Sequence, residues 1–202
     1  MIRFAIAGVV VAVAGQASAQ AVDLTPAVIG TVDRGGDVDL SPADGFFSRR
    51  ISISGTSRND HRAIYEWDLS QLAGPTIVSA NLSGLINQLQ QAQNAPFTWE
   101  LYVYSGDGSI TFGDFNPLGE ILVGTVTESA ANTDAPFSVD VTAELQALVN
   151  AGATHIGVQT RQIGNFSIAN ADDYVLSVEA VPTPASAALL SLGGLAAARR
   201  RR

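Results

Sequence analysis

The chain has no cysteine and no lysine, and each absence limits what it can be. Without cysteine no disulfide supports the fold and no lipobox is possible, so burial of apolar surface must hold the structure together. A zinc site is short of ligands: His61 and His155 stand far apart in the chain without neighbouring metal-type residues, and zinc needs three or four. Both histidines read as surface or loop residues. No Gly-x-Ser-x-Gly elbow and no glycine-rich phosphate loop occurs. No internal repeat of useful length appears, and no apolar run reaches the roughly 20 residues of a comfortable membrane span.

What is present is concentrated first at the two ends. Arg3 precedes an apolar core from Phe4 to Ala14, and Ala17-Ser18-Ala19 places small residues where a signal peptidase requires them. This is the pattern of a secretory signal peptide, residues 1–19, cut after Ala19. At the other end Val181-Pro182-Thr183-Pro184 leads into a largely apolar segment of fourteen residues, Ala185–Ala198, and Arg199, Arg200, Arg201 and Arg202 close the chain. As a helix that segment spans about 21 Å, short of a hydrocarbon core of about 30 Å. The arginines resist translocation and act as a stop on the cytoplasmic side. A short span with a basic stop suits temporary anchoring in the inner membrane.

The order of proline motif, apolar segment and arginine cluster over residues 181–202 resembles the PEP-CTERM sorting signal of exported bacterial proteins. The family carries Glu at the third position of its tetrad, where Thr183 stands here. The resemblance implies an exosortase-like sorting enzyme as partner beside signal peptidase. It also implies export through the inner membrane of a Gram-negative-type cell and release to the surface or outside after C-terminal processing. The family's setting implies an exopolysaccharide-producing, biofilm-forming bacterium, and hence polysaccharide of the extracellular matrix as a partner.

Between the signals lies one domain, residues 20–180, with room for a sizeable core. It keeps six arginines against 19 acidic residues, a formal charge of −13. That balance argues against nucleic acid, whose binding rests on neutralising phosphate, and against anionic lipid.

From Ile51 onward the apolar pattern has period two, with turns every eight to twelve residues. Ala63, Tyr65, Trp67 and Leu69 alternate with Ile64, Glu66 and Asp68 as a half-buried strand. Val78–Leu82, Phe97–Tyr104, Ile121–Val126, Phe137–Val141, His155–Thr160 and Tyr174–Val181 continue the series. One short helix is expected after a cap at Asp140 or Thr142, with Leu145, Leu148 and Val149 as its stripe and Asn150-Ala151-Gly152 as its end. Asn87–Asn94 reads as a polar loop. Many short strands with one helix predict an all-β fold, an antiparallel β-sandwich of jelly-roll type. The phrases Arg62–Ser70, Thr76–Leu82 and Phe137–Thr142 resemble jelly-roll modules of exported bacterial proteins, similar in build to carbohydrate-binding modules, over roughly Ala63 to Val178.

Candidate chemistry is sparse, and no catalytic residue is assigned. Glu66 and Asp68, two apart on one strand, share a face that opposes the aromatic one and is expected to meet solvent or Arg62. With Glu100 they are the carboxylates that a carbohydrate-active enzyme would use, which is the alternative to a non-catalytic module. Asp107 and Asp114, around Gly106 and Gly108, are candidate calcium ligands; Asp33, Asp37 and Asp39 form a second acidic loop. These leave a calcium-stabilised adhesion module as a further alternative, although an EF-hand alignment fails because Val103 would be its first ligand. No cofactor is otherwise implied. Trp67 and Trp99 fall on the apolar face and belong to the core, whereas Tyr102 and Tyr104 on the opposite face are the candidate glycan platform.

Overall fold

The computed structural model describes residues 18–40, 47–53, 57–72, 76–90, 97–128, 134–163 and 167–181. Most of the expected signal peptide, Pro182–Pro184, the apolar tail and Arg199–Arg202 lie outside the described residues. Val181 is the last residue of the last strand, paired with Thr76.

The order is β1 (Gln20–Leu24), β2 (Val28–Asp33), β3 (Val38–Asp39), β4 (Phe47–Ile53), β5 (Ser57–Asp68), β6 (Thr76–Gln90), β7 (Phe97–Gly106), β8 (Ile121–Glu128), β9 (Asp134–Asp140), α1 (Thr142–Ala151), β10 (His155–Ile163) and β11 (Ser167–Val181). The strands run β8-β7-β10-β5-β4-β11-β6-β9, with β1 beside β11, β2 beside β5 and β3 beside β2. Every pairing is antiparallel. The path folds into two facing layers of a β-sandwich, β8-β7-β10-β5-β2 and β9-β6-β11-β1. Strand β4 joins them at one end, pairing Arg49 with His61 of β5 and with Ile168 of β11.

The inward residues follow the expected period. Ala63, Tyr65 and Trp67 of β5, Trp99, Leu101 and Val103 of β7, and Tyr174, Leu176 and Val178 of β11 form one core. Both tryptophans are buried, as their alternation predicts. Tyr65 stacks on Tyr174 at 4.2 Å between centroids, and Phe137 meets Tyr174 edge-on at 5.0 Å. The Trp67 indole donates to the Leu24 carbonyl at 3.1 Å, holding the end of β1 to β5.

Helix α1 begins beside Asp140, whose Oδ1 accepts the Thr142 amide at 2.9 Å, and ends at Gly152 with φ 75°. Leu145 is buried, and Leu148 and Val149 pack partly against the core. Gln146 and Thr142 accept the amides of Ile77 and Ala80 at 2.7 and 2.8 Å, which docks the helix on β6. No helix among the described residues is long and apolar enough to cross a membrane.

Three expectations are corrected. The N-terminal segment holds β1 to β4, which the period-two reading from Ile51 onward does not identify as strands. Residues 87–90 belong to β6, paired with β11, not to a loop; 91–94 lie outside the described residues. Strand β5 is buried on both faces from Arg62 to Trp67, not half-buried, because the β7–β8 connection covers its outer side, with Val28 and Val32 of the neighbouring β2 packed beside Ile64.

Candidate functional site

Strands β5, β10 and β7 carry the polar residues of interest on their outer face. Register sets Glu66 beside Gly157 and Gly157 beside Tyr104; the next row holds Ile64, Gln159 and Tyr102, and Arg161 lies opposite Glu100. The connection from Asp107 to Glu120 folds back over part of this face.

Under that connection lies a second, small core of Val32, Ile64, Tyr104, Ile110 and Phe115. Glu66 sits beside it, 0% exposed. Its Oε1 accepts the Tyr104 hydroxyl at 3.1 Å and its Oε2 accepts the Gly108 amide at 2.6 Å. Glycines make the space. A Cβ on Gly157 would lie 2.2 Å from Tyr104 Cζ, and one on Gly106 would lie 2.5 Å from Glu66 Oε1. Burial, then the charge of Asp114, raises the Glu66 pKa above the usual carboxyl value of 4.5, against the opposing pull of the Gly108 amide. Burial and the neighbouring Glu66 push the Tyr104 hydroxyl far above its ordinary range, so it remains a donor.

The connection is fastened further along. Arg62 lies 3.8 Å over the Phe115 ring, donates to the Phe115 carbonyl, and donates to Asn116 Oδ1 at 3.0 Å. Gln159 Nε2 donates to the carbonyls of Asp114 and, at 3.1 Å, Phe115. Burial, then repulsion from Arg161, lowers the Arg62 pKa to about 10, which leaves it cationic at neutral pH.

Beyond the connection the face is open. Arg161 lies 4.1 Å over the Tyr102 ring, and its Nη2 donates to both Glu120 oxygens at 2.7 and 2.9 Å and to Gln159 Oε1 at 2.8 Å. The Tyr102 hydroxyl donates to Glu100 Oε2 at 2.8 Å. Leu122 and Ile163, 47% and 43% exposed, flank the group, and Thr98 and Thr127 meet at 3.2 Å beside it.

The predicted site residues divide accordingly. Tyr102 is on the open part. Tyr104, expected beside it as a platform, is 2% exposed: the alternation places it on the outer face, but the connection closes over it. The face of Glu66 and Asp68 was expected to meet solvent or Arg62; Glu66 is shut in against Tyr104 and Gly108 instead, whereas Asp68 is exposed and accepts the Ser70 amide at 2.7 Å. Asp107 accepts the Ser109 amide at 2.9 Å, and Asp114 caps the turn Phe112–Phe115 through Thr111 at 2.7 Å. Asp33 likewise accepts the Asp37 amide at 2.9 Å. No three His, Cys, Asp or Glu among the described residues are grouped to hold a metal ion. His155 packs on Gly108 and bonds Thr154 at 3.1 Å.

Arg161, Gln159 and Glu120 were absent from the sequence-based candidates. The alternation of β10 continued to Ile163 would place Gln159 and Arg161 on the outer face, but nothing local marks Glu120. Elsewhere a recess of about 390 Å³ lies between Leu69, Leu72, Val149 and Thr154, with mostly apolar walls.

No family model matches the chain, and no curated protein matches it. Among solved structures it is similar to the K3 cleaved adhesin domain of Lys-gingipain (Kgp) from Porphyromonas gingivalis w83. That match has a TM-score of 0.40 and 16% identity, and it covers 81% of this chain and 99% of that one. It is also similar to the CBM22-1 xylan-binding domain from Paenibacillus barcinonensis Xyn10C, with a TM-score of 0.40 and 10% identity, covering 84% of this chain and 99% of that one.

Proposed function

We propose that this chain is an exported, non-catalytic surface or matrix protein that holds polysaccharide on the open part of its outer sheet face. The observation that carries the reading is the group around Tyr102. A ring with a guanidinium stacked on it offers a flat support for a sugar, and Glu100 and the neighbouring threonines offer hydrogen bonds to hydroxyls. The closed position of Glu66 supports the non-catalytic reading, because a general acid must reach its substrate.

The test is retention on immobilised polysaccharides, with the purified chain and its Tyr102→Ala variant. Loss of the stacked support is expected to weaken binding by about tenfold, the scale of one cation–π or aromatic contact. Uniform failure to bind glycans would remove the reading.

Export and sorting belong to the same proposal and rest on the two terminal segments, 1–19 and 181–202. Protein recovered from cells is expected to begin at Gln20 and to lack Arg199–Arg202. Intact-mass measurement checks this, and retention of the four arginines would defeat processing by an exosortase-like enzyme.

A further inference from the structure

The cations of this domain are few and gathered at one end. No arginine lies between Arg62 and Arg161, and none between Arg161 and Arg199. Strand β4 brings Arg49 opposite His61 and Arg50 opposite Asp60; Arg58 lies opposite Ser52. The Arg34 amide bonds the Asp60 carbonyl at 2.9 Å. Thr160 pairs with Ala63, so the next step of the same ladder sets Arg161 beside Arg62. The backbone positions of all six arginines of the domain therefore fall toward the end where β4 joins the layers, with Asp33 and Asp60 among them.

Two of them form a built pair. Arg62 and Arg161 both donate to Gln159 Oε1, at 3.2 and 2.8 Å. The Nε of each is buried without an acceptor. The bonds from Arg161 to Glu120 both leave from Nη2, and the buried Nε takes no part in them. The Arg161 and Glu120 side chains keep 20% and 25% exposure, so a solute can reach the contact. Tyr102 lies beneath the same guanidinium.

We propose that the polysaccharide bound at this face is an acidic one, a uronate-bearing glycan whose carboxylate takes the Glu120 position on Arg161 while its ring lies over the Tyr102–Arg161 stack. This rests on the polysaccharide reading above and narrows it. The exchange replaces one carboxylate by another, so the arginine loses no partner. The net negative charge of the rest of the domain does not prevent this, because at physiological salt a charge is largely screened beyond about 8 Å.

The test compares polygalacturonate with a neutral glucan for binding to the full chain, at low and at moderate salt. Polygalacturonate is expected to bind at least about tenfold more tightly, and to lose about tenfold as sodium chloride rises from about 50 to about 300 mM. Glu120→Gln is expected to strengthen polygalacturonate binding several-fold, because it removes the competing carboxylate. Arg161→Gln should abolish the preference. A salt-insensitive preference for the neutral glucan would overturn the acidic assignment and leave the polysaccharide reading intact, whereas binding of neither glycan would overturn both. Weaker binding by Glu120→Gln would show Glu120 to be a structural prop and would also overturn the inference. So would duplex DNA or phosphatidylserine vesicles binding as tightly as polygalacturonate.

Discussion

Gly157→Ala is expected to cost about 3 to 4 kcal/mol and to lower the melting temperature by about 10 °C. A methyl group at this position would stand 2.2 Å from Tyr104 Cζ, inside the ring's own volume. Strand β10 cannot retreat, because it is paired on both sides, to β5 and to β7. The ring must therefore move. Overpacking of this kind costs about 1–3 kcal/mol, and the displaced hydroxyl also loses Glu66, for about 1 kcal/mol more. In a domain of this size each kcal/mol shifts the midpoint by about 2–4 °C. Thermal unfolding followed by circular dichroism measures the effect. The mechanism is checked by pairing the substitution with Tyr104→Leu, which leaves room for the methyl group. The two changes should cost at least about 1 kcal/mol less together than the sum of each alone. Strict additivity, or a variant melting within about 2 °C of the parent, would show that the ring does not need the glycine.

Glu66→Ala is expected to destabilise by about 3 kcal/mol, because it strands the Gly108 amide and the Tyr104 hydroxyl in a buried place, at about 1–3 kcal/mol for each unsatisfied group. Glu66→Gln behaves differently. The folded chain holds the Glu66 proton to a higher pH than the unfolded chain, whose carboxyl titrates near 4.5. In the window above 4.5 the native state therefore binds more protons, and stability falls as pH rises until Glu66 ionises in the folded chain. Glutamine can still accept from Gly108 and has no proton to lose. Urea unfolding from pH 4 to pH 8 should show the two proteins equal at the acid end and the glutamine variant increasingly the more stable above it. Parallel curves would mean that Glu66 is already charged at low pH in the folded protein.

The inner half of this fold is written in local order. Trp67 and Trp99 fall where alternation puts them, and Gly152 closes α1 in the left-handed conformation that an Ala-Gly ending suggests. The outer half is not local. Glu66 and Tyr104 alternate as exposed residues should, and nothing nearby in the chain reveals that a segment about forty residues after Glu66 folds over them. Gly106 and Gly157 read as weak points in strands, although each is the space that admits a neighbour's side chain. The site was half legible for the same reason: Tyr102 follows from period two, while Glu120 reaches Arg161 only through the course of the β7–β8 connection.

Strands β1 and β11 lie side by side, with Gln20 opposite Ala180, so the first and last strands of the sandwich have their outer ends together. Strand β4 meets β11 at its other extremity, from Ser167 to Asn170. Fourteen residue steps of strand separate Ser167 from Val181, about 45 Å at the usual rise. Under the proposed sorting, the cut would therefore fall beyond the end of the sandwich away from β4, and Tyr102 and Arg161 would keep their places in the β7–β10 ladder once the tail is removed.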